Sequence, residues 1–269
     1  MKKFILELIS TLVLFFGIFL LAKQVDWIRL LHVNQIRSKT EEKLGELLKE
    51  ILNKDKTACE QPEILYPVDS LLTHLCEANG IEENIVKISV FYEDEVNAFA
   101  LPGNQIVIYT GLIEATANEA ALSGVLAHEL AHLQKRHVMS RLIREMGVAV
   151  LLSAASGGAA ETLTSILQML SSASYDRAME KEADLTAAIY LTKAKISAEP
   201  FAALLLELDE PDTPNFLAWI STHPSGEKRA RDIRDQFPGK NQPISQPVLA
   251  PETWDLMKKY NGQLADTEN

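Results

Sequence analysis

LSGVLAHELAHLQKRH, running from Leu122 to His137, is the stretch around which the rest of the chain has to be arranged. Within it stands His128-Glu129-Leu130-Ala131-His132. A helix turns about 100° per residue, so histidines four apart lie one above the other on a single face and can share one metal ion. Neutral imidazoles suit Zn²⁺, and a glutamate directly after the first histidine leans over the open coordination position, where it can deprotonate a metal-bound water. The stretch therefore predicts zinc-assisted peptide hydrolysis, with one Zn²⁺ per chain and Glu129 as general base. The bland alternative is a surface helix with two chance histidines, and the flanking residues argue against it. Leu122, Val125, Leu126, Ala131 and Leu133 make the helix apolar enough to be buried, where two histidines and a carboxylate would be costly without a metal.

A catalytic zinc takes three protein ligands and keeps one position open, so a third donor must come from elsewhere. His137 is the nearest histidine, but the extended three-histidine motif needs a histidine where Val138 stands and a glycine where Lys135 stands. Arg136-His137 reads instead as the positive end of the helix, complementing its dipole. The better source is Arg177-Ala178-Met179-Glu180-Lys181-Glu182-Ala183-Asp184, in which Arg177, Glu180 and Asp184 share one helix face. Glu180 can reach the metal, and Asp184 can accept a hydrogen bond from the far nitrogen of a ligand histidine and fix its tautomer. Glu182 points elsewhere, toward solvent.

The His128 helix, the later Glu180–Asp184 helix and the segment Asn97-Ala98-Phe99-Ala100-Leu101-Pro102-Gly103 together resemble the HtpX and CAAX-prenyl-endopeptidase group of gluzincin metallopeptidases, over roughly residues 83–234. The resemblance implies zinc ligands at His128, His132 and Glu180 and a general base at Glu129. It also implies a substrate strand along Asn97, Ala98, Phe99 and Ala100, shaped at its turn by Gly103. An exposed strand edge there offers backbone donors and acceptors to an extended polypeptide of almost any sequence. The chain departs from the family pattern at Asp176-Arg177, where Ser-Arg is frequent, and at Asn104, where glycine is common; neither falls on a ligand. Ser221-Thr222-His223-Pro224, followed by Glu227, Arg229 and Arg231, resembles a further family segment whose histidine in some members approaches the zinc and plugs its open position. A simple helix cap is the competing role for His223. The oxyanion stabiliser stays open among His223, Arg177 and Tyr175.

Upstream, Lys2-Lys3 precede an apolar run from Phe4 to Ala22 that is broken only by Glu7, Ser10 and Thr11. At about 1.5 Å per residue it nearly matches a ~30 Å hydrocarbon core, so residues 1–25 are expected to be an uncleaved anchor in the cell membrane. The catalytic body is then expected to be periplasmic or otherwise extracytoplasmic, as in the singly anchored members of the group. Residues 36–237 are expected to form the metallopeptidase domain. The prolines at 238, 243, 247 and 251 mark a connector within a tail spanning 238–269.

Periodicity predicts helices over 39–53, 68–79, 118–140, 142–155, 161–172, 176–193, 201–208 and 224–237, and strands over 85–92, 96–101 and 105–110. The fold class is α+β, mostly helical, a zincin-like domain with a small antiparallel sheet beside the active-site helix. The apolar run over 147–155 is too short to be a second membrane span.

Composition narrows the partners. A net charge of -11 and a pI near 5.1 exclude a nucleic-acid surface, which needs surplus Lys and Arg. Cys59 and Cys76 lack the number and spacing of a structural zinc site, which leaves a disulfide or two free thiols, with free thiols the favoured reading. The expected partners are therefore polypeptide substrates, in particular misfolded or mislocalised envelope proteins, and the membrane itself. The competing reading is a membrane-tethered, latent or chaperone-like binding module that retains zinc without turning over.

Overall fold

The computed structural model describes residues 33–82, 85–172, 174–208, 217–223, 226–237 and 247–265. The expected anchor at 1–25 lies outside them. The chain divides into two compact units, 1–41 and 42–269. The described part of the first is the opening of a helix, and the second holds the remaining elements.

Helix α1 (Val33–Asp55) buries Leu44, Leu48 and Leu52, one side chain per turn. Helix α2 (Pro62–Asn79) starts six residues before the expected Val68 and runs through Pro67. The apolar face of Ile64, Val68, Leu71, Leu72 and Leu75 carries the helix through the proline. Gly80, at φ 66°, closes it by returning its N–H to the carbonyls of Cys76 and Glu77. Cys59 and Cys76 are buried and form no disulfide.

Three strands follow: β1 (Lys87–Phe91), β2 (Ala98–Leu101) and β3 (Gln105–Tyr109). β2 and β3 pair antiparallel, with Phe99 opposite Val107, across the expected turn at Pro102-Gly103-Asn104. β1 pairs parallel to β3, Ser89 opposite Val107, so the sheet order is β1-β3-β2 and the sheet is mixed rather than wholly antiparallel. Alternating apolar residues report which face is buried and carry no information on strand direction, so sequence periodicity could not distinguish the two.

After the short α3 (Thr110–Ala115), Asn118 accepts a hydrogen bond from the Ala121 N–H and opens α4 (Glu119–Gln134). Every residue from Ala120 to Leu133 is buried, which makes α4 the central helix of the domain. Gly124 lets it approach its neighbour: a Cβ there would sit 2.3 Å from Phe201 Cβ.

α4 ends earlier than the sequence suggested. Arg136 adopts a left-handed conformation (φ 61°), and a new helix α5 (His137–Met146) leaves in another direction. Gly147, at φ 79°, then separates α5 from α6 (Val148–Ala155), so the single helix expected over 142–155 is two.

α6 turns Val148, Val150 and Leu152 outward. Among the described residues no single helix is long and apolar enough to cross a membrane; α6 and α7 (Ala160–Ser172) pass together only as a pair bent by 117°. The remaining helices are α8 (Arg177–Lys193), α9 (Glu199–Leu208), α10 (Leu217–Thr222), α11 (Gly226–Gln236) and α12 (Pro251–Ala265). α8, α9 and α2 pack on α4, which also contacts β2 and β3.

The tail does more than connect. Glu119 accepts hydrogen bonds from the backbone N–H groups of Val248 (2.8 Å) and Leu249 (2.9 Å). Lys258 donates to the carbonyls of Ile113, Glu114 and Thr116 at the end of α3. Met257 is fully buried, so α12 belongs to the packed domain.

Candidate metal centre

Three elements deliver the site. α4 brings His128, Glu129 and His132; α8 brings Glu180 and Asp184; the end of α10 brings His223. Asp176 caps α8 by accepting from the N–H groups of Ala178 and Met179, which sets where Glu180 falls on the first turn. Removing that cap as Asp176→Ala should cost about 1 kcal/mol, read as a lower midpoint in chemical denaturation. The Asp176 carboxyl is held below its usual range by the Met179 amide and by Arg144. A depressed folded-state value stabilises above the unfolded pKa and is lost as pH falls, so the difference between wild type and variant should vanish in acid.

His128, His132, Glu180 and His223 each present one ligand-type atom, all within 4.8 Å of one another. His128 Nε2 lies 3.0 Å from His132 Nε2 and 3.2 Å from His223 Nδ1. Glu180 Oε1 lies 3.0 Å from His223 Nδ1 and 3.3 Å from His132 Nε2. Donors at about 2.0–2.1 Å from a tetrahedral Zn²⁺ are themselves about 3.3 Å apart. The four side chains thus have the spacing of a closed shell around one ion, with the nitrogen and oxygen donors that zinc accepts.

Burial pushes His128 down to about 3 and lowers His132 as well, so both imidazoles are neutral and their lone pairs available. Glu180 is the opposite case. Burial opposes its charge, but His223, Arg229 and His132 together hold its carboxyl well below the ordinary range.

Glu129 is fully buried beside this cluster, and neither of its carboxyl oxygens has a hydrogen bond of good geometry. Burial and the nearby Glu180 raise it well above a normal glutamate, with Arg229 and the Ala100 backbone amide opposing. His223 Nε2 stands 3.4 Å from Glu129 Oε1.

Asp184 Oδ1 lies 3.0 Å from His128 Nδ1, the far nitrogen from the cluster. Arg177 does not join them: it sits exposed at the first residue of α8. The arginine at the site is Arg229 of α11. Its Nε and Nη2 donate to the two Asp184 oxygens at 2.8 and 2.7 Å, and its Nη1 lies 3.1 Å from Glu180 Oε2 and from the His223 carbonyl oxygen. A buried guanidinium between two buried carboxylates balances charge that α8 could not balance from its own exposed face. Sequence spacing singled out Arg177 as the partner of Glu180 and Asp184 because it lies on the same helix face; Arg229, noted only as part of the segment after His223, reaches Asp184 from 45 residues away.

The expected substrate strand is an edge strand of the sheet, and its residues are buried. Asn97, Ala98, Phe99 and Ala100 are at most 1% exposed, and Gly103 is half-buried at the turn. α7 packs against β2, and Asn97 Nδ2 donates to the Ser171 carbonyl at 3.0 Å. Tyr175 is buried with its ring centroid 4.1 Å from that of His132, and the Trp219 ring lies tilted against His223 with centroids 4.3 Å apart.

Comparison with known proteins agrees with this geometry. The chain is 28% identical over 204 residues to the mitochondrial metalloendopeptidase OMA1 of Schizosaccharomyces pombe, an overlap that covers 74% of this chain and 60% of that one. It is 28% identical to the metalloprotease YcaL of Escherichia coli (59% of this chain, 65% of that one) and 29% identical to the metalloprotease LoiP of the same organism (60% and 68%). The chain thus spans about 60% of the length of the yeast relative. The family model for peptidase family M48 matches residues 67–236, from within α2 to the end of α11, and the chain belongs to that family.

Proposed function

We propose that the protein is a zinc-dependent endopeptidase in which His128, His132 and Glu180 hold the ion and Glu129 is the general base. The observation that carries this reading is the Glu129 carboxyl, buried and without a good hydrogen bond beside a converging set of zinc donors. When bound, the ion supplies Lewis acidity, polarising a peptide carbonyl and making a water easier to deprotonate. Glu129 takes the proton of the attacking water at its carboxylate and later hands it to the leaving amine nitrogen. Asp184 fixes His128 with Nε2 toward the ion, and Arg229 keeps Asp184 and Glu180 ionised. β2, as the edge strand, aligns an extended polypeptide along the site. Relatives named as metalloendopeptidase and metalloproteases support the same reading.

Cleavage of an unfolded protein such as casein tests it. Activity that a chelator abolishes and added zinc restores is expected; activity indifferent to chelation would refute the reading. The apolar run at 4–22 supports a tethered protein facing the cell envelope, and so misfolded or mislocalised envelope proteins as substrates.

One observation favours a latent resting state. His128, Glu129, His132, Glu180 and His223 are all at most 2% exposed, and His223 occupies the fourth position of the donor shell. We infer that His223 plugs the site until α7 and α10 move. His223→Ala should then raise basal cleavage, or self-cleavage, with zinc content unchanged. A fall of about 10²-fold or more would instead make His223 an oxyanion donor.

A further inference from the structure

The two histidines of α4 each turn Nε2 toward the donor cluster and send the other ring nitrogen outward. For His128 the outward nitrogen meets the Asp184 carboxylate. For His132 it meets another imidazole: His132 Nδ1 lies 3.1 Å from His137 Nδ1. Two ring nitrogens at that distance bond only if one carries a proton and the other a lone pair.

The next contact decides which. His137 Nε2 stands 3.4 Å from Glu182 Oε2, and an ionised carboxylate is an acceptor only. His137 therefore keeps its proton on Nε2, and its Nδ1 is free to accept. We infer that His137 is a positioning residue for the metal centre: accepting a hydrogen bond from His132 Nδ1–H, it locks His132 in the tautomer and orientation that points Nε2 at the ion. This rests on the metal centre proposed above.

The backbone is built for the contact. The left-handed Arg136 ends α4 and folds the chain back, so that His137, only five residues on, tucks its ring against His132 with centroids 4.9 Å apart and 4% of the residue exposed. A continuing helix would have carried His137 five residues, about 500°, round the axis and away from the His132 ring. Glu182 is itself held by Lys135 at 3.0 Å, so a surface ion pair orients the outer end of the chain. The two metal-facing histidines are thus supported asymmetrically, one by a buried carboxylate and one by a neutral imidazole.

The test is zinc affinity by chelator competition, with the visible spectrum of the cobalt-substituted protein as a second readout. His137→Phe keeps a ring and removes the acceptor; it should weaken zinc binding by about 10–100-fold and shift the cobalt bands. His137→Asn places Oδ1 where Nδ1 was and should restore both. Glu182→Ala, which leaves the Nδ1 lone pair in place and removes a half-exposed carboxylate, should weaken binding far less. Wild-type affinity and spectrum in His137→Phe would overturn the inference, as would an Asn variant as weak as the Phe variant.

Should the Phe variant fail to fold, the ¹⁵N spectrum of zinc-loaded wild type decides: His137 must show an unprotonated Nδ1 and a protonated Nε2, and the reverse tautomer overturns the inference. Wild type that binds no zinc would instead sink the metal centre itself, which separates the two failures.

Discussion

Glu129→Gln should leave one zinc per chain and cut peptide hydrolysis by about 10²–10⁴-fold, the usual contribution of a positioned general base. The amide fills the same space and lies beside the donor cluster without belonging to it, so metal content and activity must separate. Zinc analysis and casein cleavage on the same preparation check this. Equal loss of both would make Glu129 a ligand.

Stability provides a second readout. Burial raises the Glu129 pKa, so its contribution to folding is fully present below the unfolded value and is lost as pH rises through the folded one. Gln mimics the protonated form at every pH. Metal-free Glu129→Gln should therefore melt higher than metal-free wild type at neutral pH, and the gap should close in acid. An active-site carboxylate that destabilises its own fold is expected where the site is shaped for reaction.

Arg229→Met carries the largest expected cost in stability. It removes the guanidinium that pairs with Asp184 and Glu180 and leaves two carboxylates buried without their counter-charge, a loss of about 3–5 kcal/mol. Burial opposes the charge of Asp184, and Arg229 first and His128 after it hold its carboxyl below the normal range. Denaturation in the presence of a chelator isolates the effect from the charge of the ion. Adding Asp184→Asn should return a large part of the loss, because neighbours in one charge network are not additive. A change below about 1 kcal/mol, the scale of a surface pair, would mean that Arg229 does not balance this site.

The legible parts of the protein were those written within a few residues. His128, Glu129 and His132 could be placed because a spacing of four fixes one helix face, and Glu180 and Asp184 because the same rule holds on α8. The hairpin was legible because Pro102-Gly103-Asn104 is a turn between alternating runs.

Long-range facts were not. Nothing local shows that β1 runs parallel to β3, that α7 packs against β2, or that Arg229 returns to Asp184. The helix break before His137 was hidden for a subtler reason. The break after Gln134 falls at Arg136 in a left-handed conformation, where glycine would have announced it and arginine does not. The sequence therefore read as an unbroken helix, with Arg136-His137 as its positive end.

Diffraction from crystals of the zinc-loaded protein, collected above and below the zinc absorption edge, tests the central claim most directly. The account predicts one anomalous peak per chain within bonding distance of His128 Nε2, His132 Nε2 and a Glu180 oxygen, with Glu129 beside it and unbonded. A zinc peak that avoids Glu180, or no peak between α4 and α8, would contradict it.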